Sequence, residues 1–230
     1  MAIYTIADLH LSLGVSKPMD VFEGWDNYVE RLTSNWNRTV ADSDSVIIPG
    51  DISWAMNFDE LKDDFAFIHS LPGIKYLLKG NHDYWWNTRT KVENLIRENG
   101  WDSIKIIQND SVKIDGIAVC GTRGWVFSEN PTAEDVRVFN RELLRLRMSL
   151  DSAVKQEAGE IIVFLHYPPI YSNFRAEALI DILLEFGVRR CYYGHVHGNS
   201  IPYSFAGTYK GIEFRLVSAD NLQFRPLLVE

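Results

Sequence analysis

Five short apolar runs in this chain each end on a side chain able to hold a metal ion. Residues 2–7 run into Asp8, Ser45–Pro49 into Gly50-Asp51, and Ile74–Leu78 into Lys79-Gly80-Asn81. Residues 161–165 run into His166, and residues 189–193 into Gly194-His195. Runs of that length, bounded by turn residues, read as buried strands. Helical spacing separates and follows the first three: Trp25, Tyr28, Leu32, Trp36 and Val40, then Phe58, Leu61, Phe65 and Ile68, then Val92, Leu95 and Ile96. Strand followed by helix, three times over, predicts parallel pairing with right-handed crossovers. Open sheets of that kind bind ligands beyond the carboxyl ends of their strands. Five separate segments are therefore expected to bring Asp, Asn and His to one edge.

The rest of the chain fits an α/β protein. Residues 104–107, 111–114 and 117–121 read as shorter strands, the last two joined by an Asp115-Gly116 hairpin turn. Pro131-Thr132 opens a long helix reaching about Ala158, with Thr132 and Asp135 as a capping pair. Val136, Phe139, Leu143, Leu146, Leu150 and Val154 supply its expected buried stripe. A helix over 176–186 and β-type runs over 212–217 and 222–229 complete the pattern. No repeat, low-complexity tract or linker interrupts it, so residues 1–230 are expected to form a single domain.

The 230 residues are enough for a large core. A formal net charge of -8 argues against strong nucleic-acid binding and against anionic membranes, and no stretch approaches a membrane span. It does not argue against a phosphate substrate, since bound cations reverse the charge of one pocket. Cys120 and Cys191 lack metal-type spacing and suggest a reducing, cytoplasmic setting. Oligomeric state is not legible.

Five of the six histidines fall in motifs that also carry Asp, Asn or Gly: Asp8-Leu9-His10, Gly80-Asn81-His82-Asp83, His166 and Gly194-His195-Val196-His197. Together with Gly50-Asp51 they supply a mixed nitrogen and oxygen donor set without thiolate. Asp8 and His10 are two apart, as are His195 and His197, so in extended chain each pair points one way. Gly50, Gly80 and Gly194 stand where a turn or close backbone approach is expected.

D-x-H, G-D, G-N-H-D, a lone H and G-H-x-H, in that order, resemble the calcineurin-like metallophosphoesterase superfamily. The resemblance implies a four-layer α/β/β/α sandwich and two divalent transition-metal ions. It implies that Asp8, His10 and His197 hold one ion, Asn81, His166 and His195 the other, and that Asp51 bridges them. His82 stands beside the metals as a catalytic residue. Manganese is the first expectation, with iron, zinc, cobalt and nickel as alternatives, because availability decides more than ligand type.

The implied chemistry is hydrolysis of a phosphate ester. Two dications, offset by two carboxylates, favour an anionic ester and its transition state. A metal-bridging hydroxide attacks phosphorus, and His82 protonates the leaving oxygen as general acid. In the phosphoprotein-phosphatase branch, an Asp three residues after the bridging Asp orients this histidine, and an Arg follows to hold phosphate. Here Trp54 and Ala55 occupy those places. The chain is accordingly read as a bacterial-type member, with Asp83 or a backbone carbonyl orienting His82.

Substrate contacts are expected from Arg123, Trp54 and Asp83. Arg123 either forks onto phosphate or is an exposed loop residue. Trp54, Tyr84, Trp85, Trp86 and Trp125 either stack an aryl group at the rim or pack the loops. Arg137, Arg141, Arg145 and Arg147 read as a solvated helix face. The competing functions are a non-catalytic scaffold of the same fold and a weak nuclease.

Overall fold

The computed structural model describes residues 1–127 and 130–229. The elements in chain order are β1 (Ile3–Thr5), α1 (Tyr28–Thr39), β2 (Ser45–Pro49), α2 (Phe58–Ser70), β3 (Ile74–Leu78), α3 (Arg89–Glu98), β4 (Ile104–Ile106), β5 (Ser111–Ile114), β6 (Ile117–Thr122), α4 (Ala133–Lys155), β7 (Glu160–Leu165), β8 (Ile170–Tyr171), β9 (Phe174–Arg175), α5 (Glu177–Glu185), β10 (Arg190–Tyr193), β11 (Gly207–Tyr209), β12 (Ile212–Leu216) and β13 (Leu227–Leu228). One sheet runs β13-β1-β2-β3-β4 and the other β11-β12-β10-β7-β6-β5, while β8 and β9 form a hairpin. Within the first sheet β1 to β4 are parallel. Within the second, β6, β7, β10 and β12 are parallel.

Alternation along each strand builds the layers. Val46 and Ile48 of β2 face the helices α1 to α3, while Ile47 between them faces the second sheet. Val163 and Leu165 of β7 face α4 and α5, while Ile162 and Phe164 face the first sheet. The inter-sheet layer is thus Ile3, Ile47 and Leu78 against Val119, Ile162, Phe164 and Tyr192, all buried. Helices cover the outer faces, giving the α/β/β/α sandwich. Parallel strands buried on both faces need near-continuous apolar sequence, which these have.

Local signals match their elements. Thr132 accepts from the Asp135 amide at 3.1 Å and the Asp135 carboxylate accepts from the Thr132 amide at 2.8 Å. Asp115 and Gly116 turn with φ of 47° and 87°, as a tight hairpin requires. Cys120 and Cys191 are buried free thiols, pushed up by desolvation. No helix among the described residues is long and apolar enough to cross a membrane.

Two expectations are corrected. The buried stripe of α4 is Val138, Phe139, Glu142, Leu146, Ser149, Leu150 and Ala153, leaving Val136 and Val154 exposed. Polar anchors rotate the helix: the Ser149 hydroxyl accepts from the Gly121 amide at 3.0 Å, and Thr122 donates to Glu142 at 2.5 Å. The run over 222–229 is strand only at Leu227–Leu228, because turns with positive φ at Gln223 and Phe224 precede it.

Phe164 is fully buried between the sheets, stacked on Tyr192 with ring centres 5.3 Å apart. Phe164→Ala should cost about 3–5 kcal/mol. The check is a lowered urea midpoint with an unchanged slope.

Candidate metal centre

Within each sheet the strands that end in a candidate ligand run parallel to one another, β1 with β2 and β3 in the first and β7 with β10 in the second, so their carboxyl ends share one edge. The first sheet delivers Asp8 and His10 after β1, Asp51 after β2, and Asn81 and His82 after β3. The second delivers His166 after β7, and His195 and His197 after β10. The inter-sheet layer sets the two edges against each other.

The expected extended conformation does not hold here. Asp8, His10, Asp51 and His195 adopt φ of 60°, 45°, 50° and 72°. These left-handed conformations cost about 1–3 kcal/mol each and persist only where the surroundings enforce them. They turn the chain sharply as each strand ends, so the side chains point inward. The glycines allow the loops to touch. A Cβ on Gly50 would meet the Cα of Gly80 and Nδ1 of His166, each at 2.7 Å, and one on Gly80 would run into the Asp51 carboxylate.

Two clusters result, Asp8 with His10 and His197, and Asp51 with His166 and His195. In each, the candidate donor atoms lie within 4.8 Å of one another, close enough for one ion. Oδ2 of Asp51 stands 3.4 Å from Nε2 of His166 and 3.8 Å from Nε2 of His10, between the clusters. Its other oxygen accepts from the His82 amide at 2.8 Å. Oδ1 of Asn81 lies 2.6 Å from Nε2 of His166, joining the second cluster.

Neighbours set the tautomers. Nδ1 of His166 can only donate to the Pro49 carbonyl, 3.2 Å away, which leaves Nε2 as a lone pair facing Asn81 and Asp51. Nδ1 of His197 donates to Asp220 at 3.0 Å, leaving Nε2 3.4 Å from Nε2 of His10. Asp220 also accepts from the Gly198 amide at 2.9 Å. Carboxylates placed behind ligating imidazoles in this way raise their basicity and fix their rings.

The electrostatics call for cations. Among the described residues no Lys or Arg pairs with Asp8 or Asp51; their only ionic partners are histidines. Burial holds His10 well below the usual histidine range, His166 to about 3 and His195 to about 4. Burial also opposes ionisation of Asp51, and with Asp8 and Asp83 nearby its carboxyl is raised to about 9. Burial would lower His197, but Asp8 and Asp220 outweigh it and lift it to about 10. Burial likewise disfavours the Asp8 anion, yet His197, His166 and His10 hold its pKa below the ordinary carboxylate range. Imidazole nitrogens and carboxylate oxygens converge in two clusters without a lysine or arginine partner among the described residues, so the donor set fits two divalent ions.

Asp83 is corrected. It is fully buried and accepts from the backbone amides of Gly80, Asp51, Ile52 and Ser53. It staples the Asp51 loop to the Asn81 loop and reaches neither substrate space nor the His82 ring. The atom near Nδ1 of His82 is instead the Tyr84 hydroxyl, at 3.5 Å. Trp54 packs against both imidazoles, stacked on His10 at 4.8 Å and tilted on His82 at 4.4 Å. Trp85 and Trp86 are core residues, not rim. Arg123 borders a separate cavity with Lys79 and Thr122, away from His10 and His82.

Asp220 escaped the sequence reading. It follows β12 just as the other candidates follow their strands, but no histidine or glycine-bearing motif marks it.

Residues 1–199 match the calcineurin-like phosphoesterase family. The chain belongs to that family. Among solved structures it is similar to a protein of unknown function from Aquifex aeolicus (16% identity, TM-score 0.54, covering 99% of this chain and 95% of that one). It is also similar to the phosphopantetheinyl hydrolase PptH from Mycobacterium tuberculosis (14%, 0.53, 100% and 96%). A third is a protein from Thermus thermophilus (13%, 0.52, 85% and 81%). At these identities the likeness is one of fold. No curated protein matches the chain.

In this calcineurin-like phosphoesterase, burial and neighbouring carboxylates raise Asp51, and Asp8 and Asp220 raise His197, so an incoming ion would compete with protons at both. Apparent Mn²⁺ affinity should therefore rise with pH between about 6 and 8, by about tenfold per unit for each proton displaced. Calorimetry in buffers of different ionisation enthalpy reads the released protons directly; affinity independent of pH would contradict the assignment.

Proposed function

We propose that the chain is a dinuclear metal-dependent hydrolase of phosphate esters. The observation that carries this is the position of the Asp51 carboxylate between two donor clusters. Asp8, His10 and His197 would hold one ion, Asn81, His166 and His195 the other, with Asp51 shared. Two divalent ions, manganese first among candidates, would supply Lewis-acid charge for the phosphoryl oxygens and favour ionisation of water near neutral pH. All of these donors being present speaks against a scaffold that has lost its chemistry.

The chain's own residues do the rest. Trp54 packs against the rings of His10 and His82 and holds them in place. His82 protonates the leaving oxygen. Burial and nearby Lys17 lower its pKa while Asp8 opposes them. An anionic ester docked against it would supply opposite charge that favours the protonated ring. The acid form is thus recruited by the substrate itself.

Two cavities flank the centre. One of about 540 Å³ lies among His10, Trp25, Trp54, His82 and Phe22, the other of about 670 Å³ among Phe127, Tyr167, Tyr171 and His195, and His197 borders both. A monoester has one organic group to place; a diester has two. This favours phosphodiesters, with an apolar or aromatic leaving group on the Trp54 side.

His82→Ala should retain its metals by elemental analysis and lose about 10²–10⁴-fold in kcat with an alkyl leaving group. With a 4-nitrophenyl leaving group, which needs no proton, the loss should be small. Equal losses on both would reject the proton-donor role.

A further inference from the structure

We infer that the chain carries a second, metal-independent site for a phosphate-bearing anion, in the cavity between the Asn81 loop and α4. The cavity has a volume of about 590 Å³. Lys79, Arg123, Arg141 and Arg145 all border it, and the one carboxylate among its lining residues is Glu142. Glu142 is already engaged, accepting from Thr122 at 2.5 Å and from Arg145 at 2.6 Å. Lys79 and Arg141 form no ion pair among the described residues.

This balance is the reverse of the chain's. A protein with net charge -8 has carboxylates to spare, yet four cations surround this space with a single one among them. Like charges so placed repel one another and are stabilised when an anion enters. The arginine face of α4 is solvated as expected, and two of its members, Arg141 and Arg145, one turn apart, border the cavity.

Three orphaned atoms point the same way. Nε of Arg123, Nε1 of Trp86 and Oε1 of Gln108 are buried without a hydrogen-bond partner, and all three residues line this cavity. A buried donor and a buried acceptor left unmade are costly. A phosphoryl group would take the Arg123 donor and the surrounding charge, as arginine forks do. An N–H or O–H on the same molecule would satisfy Gln108. The ligand class is therefore a small phosphorylated molecule with a hydrogen-bond donor.

The site touches the catalytic edge at two points. Lys79 adjoins the Gly80-Asn81 turn, and the Arg123 carbonyl accepts from the Tyr167 amide, next to His166, at 2.8 Å. The ligand is either a distal phosphate of the molecule cleaved at the metals or a separate molecule bound beside them.

The test uses radiolabelled inorganic phosphate on the full chain, first loaded with Mn²⁺ and then with chelator. Chelated wild type should keep one saturable phosphate site, and Arg123→Ala/Arg141→Ala should weaken it about tenfold or more. Arg123→Lys/Arg141→Lys should stay within a few fold of wild type, and unchanged unfolding midpoints exclude misfolding. Kinetics then separate the sources. A distal substrate phosphate predicts a raised KM for a nucleoside bisphosphate in the alanine variant, with aryl phosphate turnover unchanged. A separate ligand predicts that phosphate alters aryl phosphate KM in wild type beyond the competitive inhibition seen in the variant. No saturable binding to chelated protein, or equal binding by the alanine variant, overturns the inference. Neither result bears on the metal chemistry, since this site is read without metals.

Discussion

The architecture turns on one electrostatic problem: two carboxylates and several imidazoles share a buried space, and among the described residues no lysine or arginine pairs with either carboxylate. Asp8 and Asp51 are both buried, and the nitrogen atoms around them are held mostly neutral by desolvation. In the metal-free site the raised pKa values of Asp51 and His197 ease the repulsion among these groups, and divalent cations would take the place of those protons. Metal binding and loop stability would then be coupled, because the left-handed residues at Asp8, His10, Asp51 and His195 persist only where the surroundings enforce them.

The supports of the site are as specific as its donors. Asp83 gathers amides from two loops, Asp220 fixes the His197 ring, and the Pro49 carbonyl fixes that of His166. Each acts on a group that then faces the centre. Trp54 packs an apolar ring against His82, and among the described residues no carboxylate hydrogen-bonds that imidazole.

Much of this was legible in the sequence because strand ends leave a simple mark. An apolar run stopping at Asp8, Asp51, Asn81, His166 or His195 gave both the sheet edge and the residues on it, and strand alternation gave the layers. What was not legible depends on tertiary contacts. The face of α4 was misjudged because Glu142 and Ser149 are anchored by Thr122 and Gly121 on another element. Asp83 was read as a substrate contact because its four amide partners come from two loops. Asp220 was missed because an aspartate behind a histidine carries no local pattern, and the pairing of Asp8 with His10 came from left-handed turns rather than from extended chain.

The most direct test of the central claim is electron paramagnetic resonance of the Mn²⁺-loaded chain. An Asp51 carboxylate shared by two ions predicts an exchange-coupled pair in the wild type. In Asp51→Asn, coupling should weaken or one ion should be lost. Two isolated Mn²⁺ signals in the wild type, or binding of one ion only, would contradict the account.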